Sequence, residues 1–168
     1  DCINSDLANN YGNLCQRVTA FTIKNCESKI PEKIQFQKDD LDILNKYNNN
    51  LDKIRSKIDK QDINFYIDYI INSLFEANKY FNDQEPWKKK DDIVRLNTIV
   101  YTTLEIVRKI SFLLFPIIPH SSLKALKIFN LNEKDIDFTS IGNNDFLKKG
   151  NLINKIEILF NKIEKNND

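Results

Sequence analysis

The sequence predicts an all-α fold, a bundle of about five helices followed by an irregular C-terminal tail. Three observations predict it. Only three Gly and four Pro occur in 168 residues, too few for the many turns of a sandwich or barrel. Apolar residues recur at i, i+3, i+4 and i+7 over long stretches, the spacing of one helical face. The main breaks fall at prolines, before which the helical region is disfavoured.

The first helix is expected from Asn4-Ser5-Asp6, where a short polar side chain can cap unpaired amides, to about Ser28, before Pro31. Leu7, Tyr11, Leu14, Val18 and Phe21 form its core-facing stripe. Asp6, Asn10, Asn13 and Arg17 repeat the same spacing one residue out of phase, a polar stripe along the edge of the buried face. A second helix opens at Lys38-Asp39-Asp40, with acids in the turn that the helix dipole favours. Leu41, Leu44, Leu51, Ile54 and Ile58 are its expected apolar face. The third runs from about Asp62 to Asn82, with Phe65, Tyr69, Leu74 and Phe81 as core candidates, and Glu85-Pro86-Trp87 breaks it. The fourth spans about Asp92 to Phe115 and buries Ile99, Leu104, Val107, Ile110 and Leu114. Pro116 and Pro119 end it and start a fifth, Ser121 to Phe129, with Ser121 and Ser122 as candidate caps. The apolar residues around these prolines favour a buried turn over a polyproline ligand. Residues 135–150 read as loop. Leu152, Ile153, Ile156, Leu159, Phe160 and Ile163 have helical spacing.

Composition narrows the function. There are 25 Lys+Arg against 24 Asp+Glu, a net charge of +1. No bulk field marks a non-specific nucleic-acid coat or a membrane-surface protein, so nucleic-acid binding would be local. The most apolar run, Ile110 to Ile118, is far short of a membrane span. The chain contains no Met, which points to a piece of a longer protein. Its cysteines are Cys2, Cys15 and Cys26. Cys15 and Cys26 share a helix about 16 Å apart by helical rise, too far to bridge, so reduced thiols and a cytoplasmic location are expected.

Catalytic equipment is sparse. His120 stands alone in Pro119-His120-Ser121-Ser122, with no second His, Cys cluster or carboxylate pair beside it, so no metal site is expected. The glycines form neither a P-loop nor a dinucleotide fingerprint. One group of residues stands out. Trp87, the single Trp, follows Pro86 on a turn and precedes Lys88-Lys89-Lys90. An indole held by a stiff turn beside cations suits a base-stacking platform with phosphate contacts, although a lone Trp in a helical domain is commonly core. Asn13 and Arg17 share one helical edge and supply the donors and acceptors that read edges of unstacked bases.

These residues resemble a known family. Residues 4–17, NSDLANNYGNLCQR, are similar to the opening helix of the C-terminal anticodon-binding domain of methionyl-tRNA synthetases, with its "DLaNxxGNLxxR" pattern. Asn78-Lys79-Tyr80 followed by Glu85-Pro86-Trp87 resembles the family's "NxY…PW", and Leu113 to Pro119, with Leu126 and Phe129-Asn130-Leu131 beyond, its "LxPxxP…lg" segment. The resemblance covers roughly residues 4 to 131 in order. It implies a helical bundle of the class I synthetase type that grips the tRNA anticodon, with Asn13, Arg17 and Trp87 on the bases and Pro86 in support. It also implies a partner catalytic domain, outside these residues, that uses ATP with Mg and carries out the ligase reaction. The HIGH-like and KMSKS-like signatures of that reaction do not occur here, so no catalytic residue, metal or cofactor is assigned to this stretch and no aminoacylation is expected of it alone. The expected organisation is a helical anticodon-binding domain over 1–141 and a tail over 142–168 that packs back toward the catalytic domain. Ile158 to Glu164 departs from the family's closing "PLFPRIE"-like strand: the resemblance suggests extended chain there, the periodicity a helix. Two alternatives stand beside this reading: the equivalent domain of a leucine, isoleucine, valine or cysteine enzyme, and a helical protein-interaction module with no RNA role.

Overall fold

The computed structural model describes residues 5–49, 53, 56 and 63–156. Among these residues five α-helices form the domain: α1 Ser5–Asn25, α2 Lys38–Asn49, α3 Ile63–Gln84, α4 Ile93–Leu114 and α5 Pro119–Leu126. One-turn 3-10 helices cover Pro86–Lys88, Lys127–Phe129 and Glu133–Asp135, and a longer one Phe138–Gly142. Helix α4 is the axis of the bundle, and α1, α2, α3 and α5 all pack on it. From Leu96 to Leu114 only Asn97 is not buried, and Ile99, Leu104, Val107, Ile110 and Leu114 are wholly enclosed. Leu7, Tyr11, Leu14 and Val18 of α1 and Leu74 and Phe81 of α3 enter the same core, as their spacing requires. The expected first residue of the cap, Asn4, lies outside the described residues, as does Cys2. Asp92 caps α4 by accepting from the Arg95 amide at 3.2 Å.

Three expectations fail for identifiable reasons. Leu41 does not face the core but is exposed, and Asp40 takes the inward position. The buried stripe of α2 is Asp40, Ile43, Leu44 and Tyr47, helically spaced but headed by a carboxylate. That carboxylate accepts both terminal nitrogens of Arg95 at 2.7 and 3.0 Å, which satisfies it inside. Leu51, Ile54 and Ile58 lie outside the described residues. Ser121 and Ser122 do not cap α5. Pro119 fills its first position, where no amide needs a partner, and both serines are buried. The third is the helical spacing of the tail, one of the two options left open there: over 151–156 the chain is not helical. There the chain runs alongside the segment after α1 (Ile30 N to Asn151 O 2.9 Å, Gly150 N to Ile30 O 2.8 Å, Ile153 N to Ser28 O 2.8 Å), and Lys29 and Leu152 form an isolated antiparallel bridge. Inter-segment hydrogen bonds outweigh a pattern too short to nucleate a helix. Leu159, Phe160 and Ile163 lie outside the described residues.

Helix α4 also buries charge. Glu105, Arg108 and Lys109 are all inaccessible. The Lys109 ammonium donates to the side-chain carbonyls of Asn48, at 3.3 Å, and Asn144. Burial, and then the neighbouring Arg108 charge, pull it down to about 7, with Glu105 acting in the opposite sense. The folded state therefore sheds this proton near neutrality, while an unfolded Lys holds it to about 10.4. Stability rises with pH wherever the unfolded chain binds more protons. The rise is confined to the range below about 8.5, because the thiols act oppositely above it. Burial pushes Cys26 up to about 11 and Cys15 further, so each contributes stability that is lost once the unfolded thiols ionise. Urea unfolding should thus show roughly 0.8 kcal/mol more stability at pH 8.5 than at pH 7, the Lys109 gain less the loss from the two half-ionised unfolded thiols, and Lys109→Met should turn the rise into a fall of similar size. A wild-type chain with no such rise would show that the ammonium stays charged inside.

Candidate nucleic-acid interface

The site sits where α1 and α3 run side by side and the chain turns into α4. The turn follows from its sequence. Glu85 takes a left-handed conformation (φ 48°), rare for a residue with a Cβ, and Pro86 then opens a 3-10 turn at the position where its missing amide costs nothing. The turn is closed by Lys88 N to Glu85 O at 2.9 Å and Lys89 N to Pro86 O at 3.0 Å. Pro86 is buried and Trp87 is 40% exposed. The indole is therefore presented rather than enclosed. It meets Phe81 at an interplanar angle of 62°, ring centroids 6.0 Å apart, and Phe81 in turn meets Phe21 edge-on at 5.9 Å.

Arg17 reaches across from α1 to α3. It donates to the side-chain oxygens of Asn78, at 3.5 Å, and Asn82, and its guanidinium carbon stands 5.2 Å from the Phe81 ring centroid. Those two bonds take two of its five N–H donors and fix the plane of the fork. Asn13, one turn earlier on the same edge of α1, is exposed. Arg17, Phe21, Lys24, Phe81, Trp87 and Lys90 line an open groove of about 350 Å³. Its floor is aromatic and its rim cationic, the combination that holds a base by its face and a phosphate by its charge.

Arg17 and Trp87 thus meet at one groove, while Asn13, one turn before Arg17, is not among its lining residues. The basic run divides: Lys88 pairs with Glu85 at 2.9 Å, Lys89 donates to the Gln84 carbonyl, and Lys90 lines the groove. Phe81, Asn78 and Asn82 were not legible as site residues. Read alone, α3 makes Phe81 a core residue and the two Asn, four apart, a solvated face. Only the pairing of α1 with α3 shows that the three hold Arg17.

The architecture is that of the all-α, class I synthetase anticodon-binding type of domain. The sequence profile described as the anticodon binding domain of methionyl tRNA ligase matches residues 30–168. A methionine–tRNA ligase of Brucella suis is 39% identical over 126 residues, 74% of this chain and 24% of that protein. One of Rickettsia felis is 35% identical over 166 residues, 96% of this chain and 32% of that protein, so that similarity takes in α1 as well. Among solved structures, Mycobacterium tuberculosis methionyl-tRNA synthetase in complex with methionyl-adenylate superposes with a TM-score of 0.86 at 30% identity, over 95% of this chain and 32% of that one. The chain belongs to the family of methionyl-tRNA ligase anticodon-binding domains. It spans about a quarter to a third of the length of these relatives. Among the described residues no helix is long and apolar enough to cross a membrane.

Proposed function

We propose that this domain reads the anticodon loop of the methionine tRNA and, within a longer methionine–tRNA ligase, supports the ATP-dependent attachment of methionine to that tRNA. Trp87 stacks on one unstacked base, Arg17 and Asn13 hydrogen-bond to base edges, and Pro86 holds the turn that presents the indole. The observation that carries this reading is the convergence of a half-exposed Trp87 and an Arg17 oriented by Asn78, Asn82 and Phe81 on one groove. Residues 1–141 are the reading unit in this account, and 142–168 turn back toward the catalytic domain, its partner in the cytoplasm. ATP and Mg belong to that other domain, and no residue of this chain is assigned to them.

The test is binding of matched and anticodon-mutated stem-loops to the full-length ligase. Trp87→Ala should weaken the matched complex by about 1–3 kcal/mol through lost stacking. Arg17→Ala should cost roughly 1.5–3 kcal/mol through lost charge-assisted hydrogen bonds. Both losses should be much smaller for the mutated loops. Unchanged affinity and anticodon preference in a folded Trp87→Ala ligase would refute the assignment.

A further inference from the structure

The α1–α3 seam carries a second exposed aromatic residue. Phe75 is 66% exposed, against 40% for Trp87, and is the most exposed large apolar side chain among the described residues. Lone exposed apolar residues are ordinary, but this one has a particular position. Phe75, Asn78 and Asn82 fall at i, i+3 and i+7 on α3, one stripe of the helix. Asn78 and Asn82 both accept from Arg17, and the Asn78 amide donates to the Asn10 carbonyl of α1 at 3.3 Å. The stripe therefore runs beside the polar edge of α1 formed by Asn10, Asn13 and Arg17. The other exposed residues of α3 are polar, Asp68, Asn72, Lys79 and Asp83 among them, with the half-buried Ile71 one turn before Phe75, and Lys79 is paired with Asp83 at 2.6 Å. By helical rise Phe75 lies about 10 Å along α3 from Asn82, at the end away from the Trp87 turn. Two aromatic surfaces thus bracket the hydrogen-bonding side chains of the seam.

We propose that Phe75 is a second stacking platform, taking another unstacked base of the same RNA loop that Trp87 engages; this rests on the anticodon-loop reading above. A benzyl ring has no polar group and offers only its face, which every base can stack on. Phe75 therefore contributes affinity and fixes the splay of the loop, while discrimination between bases stays with the Asn13 and Arg17 region.

The test uses full-length ligase and stem-loops carrying 2-aminopurine at each loop position in turn. Phe75→Ala, at a solvent-facing site, should raise Kd roughly 5- to 140-fold. It should also remove the fluorescence quench at one loop position, different from the position lost in Trp87→Ala. Phe75→Tyr should keep both. If Phe75→Ala matches wild type in affinity and at every position while Trp87→Ala weakens binding, the proposal fails and the anticodon reading stands. If neither variant weakens binding, the reading fails and the proposal with it. If Phe75→Ala lowers the thermal stability of the RNA-free ligase and leaves every quench in place, Phe75 seats a protein surface and the proposal is overturned.

Discussion

Glu105→Ala is expected to destabilise the domain by about 3–5 kcal/mol, the cost of leaving a buried charge without its partner. Glu105 is fully inaccessible and accepts three hydrogen bonds and a share of a fourth, since the Tyr101 proton also points to the Leu147 carbonyl at 2.6 Å. Two come from Arg108 (Nε at 3.1 Å, Nη2 at 2.6 Å), one from the Leu147 amide at 2.7 Å and the shared one from the Tyr101 hydroxyl at 3.2 Å. Arg108 in turn donates to the carbonyls of Ser140, at 3.1 Å, and Asn143, at 2.6 Å, and lies 4.4 Å from the Phe146 ring centroid. The pair therefore ties the segment after α5 to the central helix. Deleting the carboxylate strands a guanidinium away from water and orphans the Leu147 amide. Replacing both residues with apolar ones of similar volume, Glu105→Leu with Arg108→Met, should recover most of the loss. Urea unfolding of the three variants decides it. A loss below about 1 kcal/mol for Glu105→Ala would mean that water reaches Arg108.

This pair also shows where sequence reading stops. The stripes of α1, α3 and α4 were legible because apolar side chains at helical spacing have one place to go. Glu105, Arg108 and Lys109 were not legible as interior residues, since charges at i, i+3 and i+4 read as a solvated face. What encloses them is the loop over 138–147, and local periodicity cannot anticipate a contact between residues 32 to 42 positions apart. The exchange of Leu41 for Asp40 has the same origin, because the partner that makes an inward carboxylate tolerable is Arg95, 55 residues away. At the candidate site, Asn13, Arg17, Pro86 and Trp87 could be picked out by residue type and spacing. Phe81, Asn78 and Asn82 required the pairing of two helices.

Asp40→Ala is expected to cost a similar 3–5 kcal/mol, with a second effect at the groove. The Asp40 carboxylate receives Arg95 through both terminal nitrogens, the Tyr80 hydroxyl, and the Gln37 amide at 2.9 Å. Arg95 also donates to the Gln84 side chain at 2.8 Å. One node therefore joins the start of α2, the last turn of α3 and the first turn of α4. The Pro86–Trp87 turn spans the gap between those last two helices. Loss of the carboxylate removes the group that holds Arg95 and Tyr80 together and leaves Arg95 with Gln84 and Tyr80, and Tyr80 with Thr102, so the two ends that fix the turn loosen together. The indole should then sample more orientations, and its stacking should weaken because ordering it again costs entropy. Urea unfolding should report the stability loss. In the folded variant at low temperature, acrylamide should quench Trp87 more strongly than in wild type, and the matched stem-loop should bind more weakly. Arg95→Met combined with Asp40→Leu should restore stability without restoring the wild-type quenching, because packing replaces the charge pair but not its hold on Gln84 and Tyr80. A destabilised Asp40→Ala variant with wild-type quenching and wild-type RNA affinity would show that the node holds the helices together and does not govern the turn.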